Sequence, residues 1–179
     1  MKLIASTLFA ALLAGLFSTA SGCKKPVNPN YETPLATMQS LFRAYGIEKM
    51  TELEIQQRIA AQQRFSVEDE ALFMDAFEDV QSDADQGLTG YIFGRSAPVK
   101  DSLVVRVQDD TAFVTVKGHD ELEPIVLLKA NDEWKISLKR SVPEEIRLRL
   151  YDVYRRAKDR EDRAVKEATA ARKQSDSAN

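Results

Sequence analysis

Between Ser102 and Leu138 the apolar residues alternate or run together in four short stretches separated by turn formers, and this pattern limits the fold more than any other part of the chain. Leu103, Val105 and Val107 recur at every second position, as do Ala112, Val114 and Val116, with Asp109-Asp110 between them. A period of two places those side chains on one face of a strand, and a two-residue polar break is the length of a hairpin turn. Gly118 to Glu121 makes the next connection. Pro124 to Leu128 then leads through Asn131-Asp132 to Trp134, Ile136 and Leu138. Pro124 has no N–H for a ladder, so it belongs at a strand's start or on an edge. Four strands in an antiparallel meander follow, with one apolar face that the preceding helices must cover.

Those helices carry start signals. Thr33 is placed to cap a helix with Pro34 at its first position and Gly46 past its end, and Leu35, Met38, Leu41, Phe42 and Tyr45 share one face. Thr51 with Glu54 makes a capping box before Leu53, Ile55 and Ile59. Ser66 with Asp69 repeats that spacing before Leu72, Phe73, Ala76, Phe77 and Val80. Ser82 to Gly90 reads as a polar loop, and Tyr91-Ile92-Phe93 as either a short strand or a turn of helix. The expected class is α+β, with N-terminal helices packed on a curved four-stranded antiparallel sheet and a globular domain over 33–142.

A last helix is expected over 143–173, opened by Ser141-Val142-Pro143-Glu144 and docked through Ile146, Leu150, Val153 and Ala157, with a polar tail at 174–179. From Pro143 to Lys173 it holds ten Lys/Arg against seven Asp/Glu while the apolar stripe fades past Ala157. Such a run is either a solvated, salt-bridged face or an arm for a partner in the cell envelope.

The first residues read as an address. Lys2 precedes an apolar run from Leu3 to Phe17, shorter than the ~20 residues of a membrane span but sufficient for an export signal. Ala20-Ser21-Gly22 stand before Cys23, the only cysteine, and resemble the lipobox of bacterial lipoproteins. The resemblance implies a signal peptide over 1–22, cleavage between Gly22 and Cys23, and acyl chains on Cys23. The alternative is cleavage after Ala20, with Ser18 and Ala20 as the small pair, which leaves a soluble periplasmic protein with a free Cys23 thiol. A lone cysteine in an oxidising compartment has no internal partner, which favours lipidation. Lys24 and Lys25 follow, without the Asp that retains enterobacterial lipoproteins in the inner membrane, so the outer membrane is the expected location. Pro26 and Pro29 mark 23–32 as a flexible tether.

With 44% hydrophobic and 30% charged residues the chain can bury a core, and its net charge of -3 points away from nucleic acid. The sole histidine, His119, and a lipidated Cys23 exclude a His/Cys metal cage, and no cofactor is expected. The acidic stretch from Asp83 lacks the glutamate that closes a calcium loop, with Gly94 at the twelfth place.

Helices followed by a meander that ends in Leu127-Leu128-Lys129-Ala130-Asn131-Asp132-Glu133-Trp134-Lys135-Ile136 resemble the nuclear-transport-factor-2-like superfamily, which includes ketosteroid isomerase and SnoaL-type cyclases. A cystatin-like or unrelated α+β sandwich stays open beside it. The resemblance implies a cone-shaped domain with an apolar pocket, for which Phe73, Phe77, Tyr91 and Trp134 are the candidate lining. An isomerase-like site would draw its base and donor from Asp75, Asp79, Tyr91 and His119. Asp75 and Asp79 stand among other acids and His119 in a turn, so a non-enzymatic domain that binds an envelope protein or an apolar ligand is the expectation, with a small-molecule lyase or isomerase as the alternative.

Overall fold

The computed structural model describes residues 28–119 and 121–176. Its order is α1 (Pro34–Ala44), α2 (Glu52–Ala60), α3 (Glu70–Asp75), a 3₁₀ turn at Asp83–Asp85, α4 (Gln86–Ser96) and a second 3₁₀ segment at Ala97–Ser102. Strands β1 (Leu103–Gln108), β2 (Thr111–Val116), β3 (Ile125–Ala130) and β4 (Glu133–Ile136) follow, then α5 (Leu138–Ser141) and α6 (Glu144–Asp176). The class is α+β, with a four-stranded antiparallel sheet in the order β1-β2-β3-β4 and a long C-terminal helix.

The turns obey the residues placed in them. Asn131 and Asp132 both take positive φ, as a two-residue hairpin loop between twisted strands requires. Asp109 does likewise at φ 52°. The register Val105↔Val114, Val114↔Ile125 and Leu127↔Ile136 puts Leu103, Val105, Val107, Ala112, Val114, Ile125, Leu127 and Ile136 on one face. The helices cover that face only in part. Ala112, Val114, Leu127 and Ile136 are at most 1% exposed, whereas Val105 and Val107 are 36% and 51% exposed. The apolar face is thus covered from β2 to β4 and left open at β1.

The helix caps follow the sequence at two of three starts. The Thr33 hydroxyl accepts from the Ala36 N–H, and Gly46 follows α1 with φ +65°. Thr51 and Glu54 form the reciprocal box. At the third start the cap is Asp69, whose carboxylate accepts from the Leu72 N–H, and Ser66 lies before the helix. That helix is only six residues long, because Phe77 leaves it to pair in parallel with Ile136. Apolar residues on helical spacing also reach solvent, among them Leu35, Leu53 and Ile59, and α2 buries only Ile55.

Ser82 to Gly90 is a 3₁₀ turn and the start of α4, not a loop. Gly87 and Gly90 weaken the local helical signal, and the helix forms because Leu88, Ile92 and Phe93 enter the core. Tyr91-Ile92-Phe93 is accordingly helical.

The chain is already fixed at its first described residue. The Asn28 N–H donates to Glu133, Tyr31 is 1% exposed, and its hydroxyl donates to the Leu72 carbonyl, so 28–32 lies against the domain. At the other end the backbone of α6 continues to Asp176, into the stretch expected as tail. Ser141 does not cap it. Its hydroxyl lies 2.8 Å from the Val126 nitrogen and 3.1 Å from the Val126 oxygen, holding α5 to β3 where β4 has ended.

Candidate functional site

Phe73, Phe77 and Trp134 lie in the core at 5%, 6% and 6% exposure. Phe73 stands edge-on to Phe77 at 5.3 Å and to Tyr45 at 5.8 Å, and Tyr45 stacks on Phe93 at 3.9 Å. The Phe73, Phe77, Tyr45 and Phe93 rings pack against one another, and Trp134 lies in the same buried cluster. Tyr91 is half-buried on α4 with the Arg95 guanidinium 5.4 Å from its ring centre. Burial raises the Tyr45 hydroxyl above its ordinary value, with Glu70 adding to the effect. Burial raises Tyr31 in the same way, reinforced by Asp75, Glu133 and Asp69.

The four residues considered for proton transfer do not converge. Asp75 is exposed, and its backbone carbonyl accepts from Lys135 at 2.6 Å while that ammonium lies 3.5 Å from the centre of the Tyr31 ring. Asp79 has both oxygens engaged, accepting from the Leu138 N–H at 2.8 Å and the Lys139 N–H at 3.1 Å. It is the cap of α5. His119 is exposed beside Glu121 at 2.9 Å, and that contact holds the Glu121 carboxyl below its ordinary value.

A second carboxylate, Asp85, is 6% exposed and was hidden in the stretch read as a loop. Its oxygens accept from the Gln81 and Ser82 N–H groups and, at 2.7 Å, from the Tyr151 hydroxyl of α6. Burial pushes this carboxyl up, but the combined donors outweigh burial and hold it below its ordinary value. The Ser82-x-x-Asp85 spacing is a capping-box signature and was the available signal. Asp85 and Asp79 are both fastenings, one for α6 and one for α5.

Open space lies elsewhere. On the outer sheet face a groove of about 430 Å³ is lined by Arg106, Phe113, Thr115, Leu122 and Pro124, with the Arg106 guanidinium 5.2 Å from the Phe113 ring centre. Behind it a cavity of about 20 Å³ reaches Arg95, whose Nη2 donates to the Glu123 carbonyl and whose Nη1 is buried without a hydrogen-bond partner among the described residues. A third cavity, about 230 Å³, lies between α1 and the segment at Lys100, lined by Leu35, Phe42 and the Arg43–Glu48 and Lys100–Asp101 ion pairs. The outer groove offers an apolar floor and a cation. Its named lining holds no nucleophile beside a base, so it suits binding of an apolar or anionic group.

Cys23 and the Gly22–Cys23 bond lie outside the described residues. Among the described residues no helix is long and apolar enough to cross a membrane, and no group of three or more His, Cys, Asp or Glu side chains is placed to hold a metal ion. Comparison with protein-family profiles, curated proteins and solved structures returns no match to the chain.

Proposed function

We propose that this chain is an envelope lipoprotein, anchored by acyl chains on Cys23, whose α+β domain binds rather than transforms its ligand. The observation that carries the reading is the run Leu3 to Phe17 followed by Ala20-Ser21-Gly22 and the only cysteine. The structure adds a length. Four residues lie between Cys23 and Asn28, the first described residue, whose N–H is bound to Glu133, and the five steps of chain from one to the other span at most ~18 Å in any conformation. An acyl anchor would hold the domain close against its bilayer, and two or more chains would make that attachment firm. The outer membrane is the proposed location, from Lys24 and Lys25 in place of an inner-membrane retention signal.

Binding in place of catalysis is supported by the use made of the carboxylates, since both oxygens of Asp79 and of Asp85 accept structural donors. The cone-like, nuclear-transport-factor-2-like form belongs to the same proposal and rests on the order of helices before a meander. The second half of α6 is the proposed contact for an envelope protein. Past Tyr151 it stays largely exposed, with Val153 and Val165 at 58% and 59%, and its charges are of both signs.

The test is intact mass and membrane fractionation of natively expressed protein beside Cys23→Ala. Acyl mass and membrane sedimentation in the wild type, both lost in the variant, are the expected result. A wild type cleaved after Ala20, unacylated and soluble, overturns the anchor. Crosslinking from the membrane then tests the arm, whose partner should be lost when the chain ends after Ala157.

A further inference from the structure

The edge of the sheet at β1 is built to receive another strand, and we infer that the strand is β1 of a second copy of this chain, paired antiparallel about Val105. This goes beyond the proposed anchoring and does not depend on it.

The first observation is which backbone groups point outward. The two-residue turn at Asp109-Asp110 makes Gln108 and Thr111 the bonded pair, and the Lys117 N–H donates to the Ser102 carbonyl in the same phase. Ser102, Val104, Arg106 and Gln108 therefore turn their N–H and C=O toward β2. The groups of Leu103, Val105 and Val107 turn away from it. Among the described residues no hydrogen bond outside the β1–β2 ladder reaches them. The opposite edge differs. On β4 the Trp134 N–H donates to Tyr31, the Thr37 hydroxyl donates to the Trp134 carbonyl, the Ile136 N–H donates to Ala76, and the Glu78 N–H donates to the Ile136 carbonyl.

The second observation is the lack of protection. Exposed edges are ordinarily blunted by proline, a bulge, or a charge directed over the edge. β1 is six residues long, pairs without a bulge, and has Arg106 as its only charge, which lies over Phe113 of β2 and so leans away from the edge. Val104, Val105 and Val107 are 42%, 36% and 51% exposed.

The strand matches itself in reverse. A two-fold axis at Val105 sets Leu103 opposite Val107, Val105 opposite Val105 and Val107 opposite Leu103. These three residues carry the outward backbone groups, so each facing pair can exchange both hydrogen bonds. Their side chains lie on the core face of the sheet, and the valines that the helices leave open would cover their counterparts. One isologous contact makes an eight-stranded sheet. Beyond the strand Asp101 would oppose Asp109, which confines the pairing to the seven residues from Ser102 to Gln108. Seven residues a side is well under the roughly 20–30 of a standard stable interface, so the association is weak and reversible.

The test uses the full-length chain in mild detergent, with Cys23→Ser so that an introduced cysteine is the only thiol. Val105→Cys should link to its own copy with a short bismaleimide reagent, while Ala130→Cys, exposed two strands away, should not. Dilution through the micromolar range should remove the link. Val105→Lys, with folding checked by circular dichroism, should weaken self-association measured by light scattering by about tenfold or more. A Val105→Cys chain that stays unlinked at high concentration overturns the inference. So does equal linking at Ala130, or an association that Val105→Lys leaves intact.

Discussion

Replacing Asp79 separates a carboxylate that holds the fold from one kept for chemistry. Asp79 lies on the segment between α3 and α4 and accepts from the Leu138 and Lys139 N–H groups, 59 and 60 residues further on. Leu138 is 2% exposed, so in Asp79→Ala its N–H would lose its partner with no water to replace it, whereas the exposed Lys139 N–H is rehydrated. A hydrogen bond to a charged acceptor contributes about 1.5–3 kcal/mol, and a lost helix cap costs ~0.5–2. The two estimates describe the same bonds and are not summed. Asp79→Ala should therefore destabilise the domain by about 2–3 kcal/mol. Asp79→Asn, whose carbonyl oxygen still accepts one bond, should cost about half as much. Urea unfolding with an unchanged m-value measures both. A cost below ~0.5 kcal/mol for Asp79→Ala refutes the reasoning, and a gain in stability refutes it more directly, because groups held for reactivity tend to stabilise a protein when removed.

The other expectations follow from backbone conformation and from the Asp85 fastening. Gly46→Ala should destabilise by about 1–2 kcal/mol, since φ is +65° and the new methyl would press on the Glu68 carboxylate. Gly90→Ala is the opposite case, a helical glycine with no atom within 4 Å of the added carbon, and should raise stability by about 0.5–1 kcal/mol in the same urea assay. The Asp85 carboxyl is held below its ordinary value in the folded chain, so its contribution is full above the unfolded carboxyl's value and is lost as pH falls through the lowered folded one. Tyr151→Phe removes one of its donors; it should cost about 1.5 kcal/mol at neutral pH and flatten the acid limb of stability against pH, and an unchanged acid limb would show that Tyr151 does not hold the carboxylate ionised.

The meander was legible because its information is local. Asn131-Asp132 tolerates positive φ, and strands of period two on either side leave one antiparallel solution. The capping box at Thr51 and Glu54 is local in the same way. What the sequence did not disclose depends on distant partners. Gly87 and Gly90 lower the helical signal of α4, and only the buried Leu88, Ile92 and Phe93 restore the helix. Ser141 has the spacing of a cap, yet β4 ends early enough for its hydroxyl to reach Val126. Periodicity marks the apolar face of β1 but does not tell where the helices that cover it run out. For the candidate site, the aromatic residues were identifiable as apolar, while their mutual packing was not. The roles of Asp79 and Asp85 needed the positions of α5 and α6.

The two edges of the sheet differ in valence. On β4 the outward groups of Trp134 and Ile136 are taken by Tyr31, Thr37, Ala76 and Glu78, all from the same chain. Among the described residues β1 alone retains free bonding capacity at a sheet edge. In the language of polymerisation, the domain is a monofunctional unit: it can couple once through its sheet, and the product carries no second reactive end. An exposed valine-rich strand is ordinarily a hazard because each addition creates a fresh template for the next. Here the chain's own N-terminal segment and the stretch after α3 act as the terminator, so strand addition at β1, as inferred above, would halt at a pair and not propagate into a fibre.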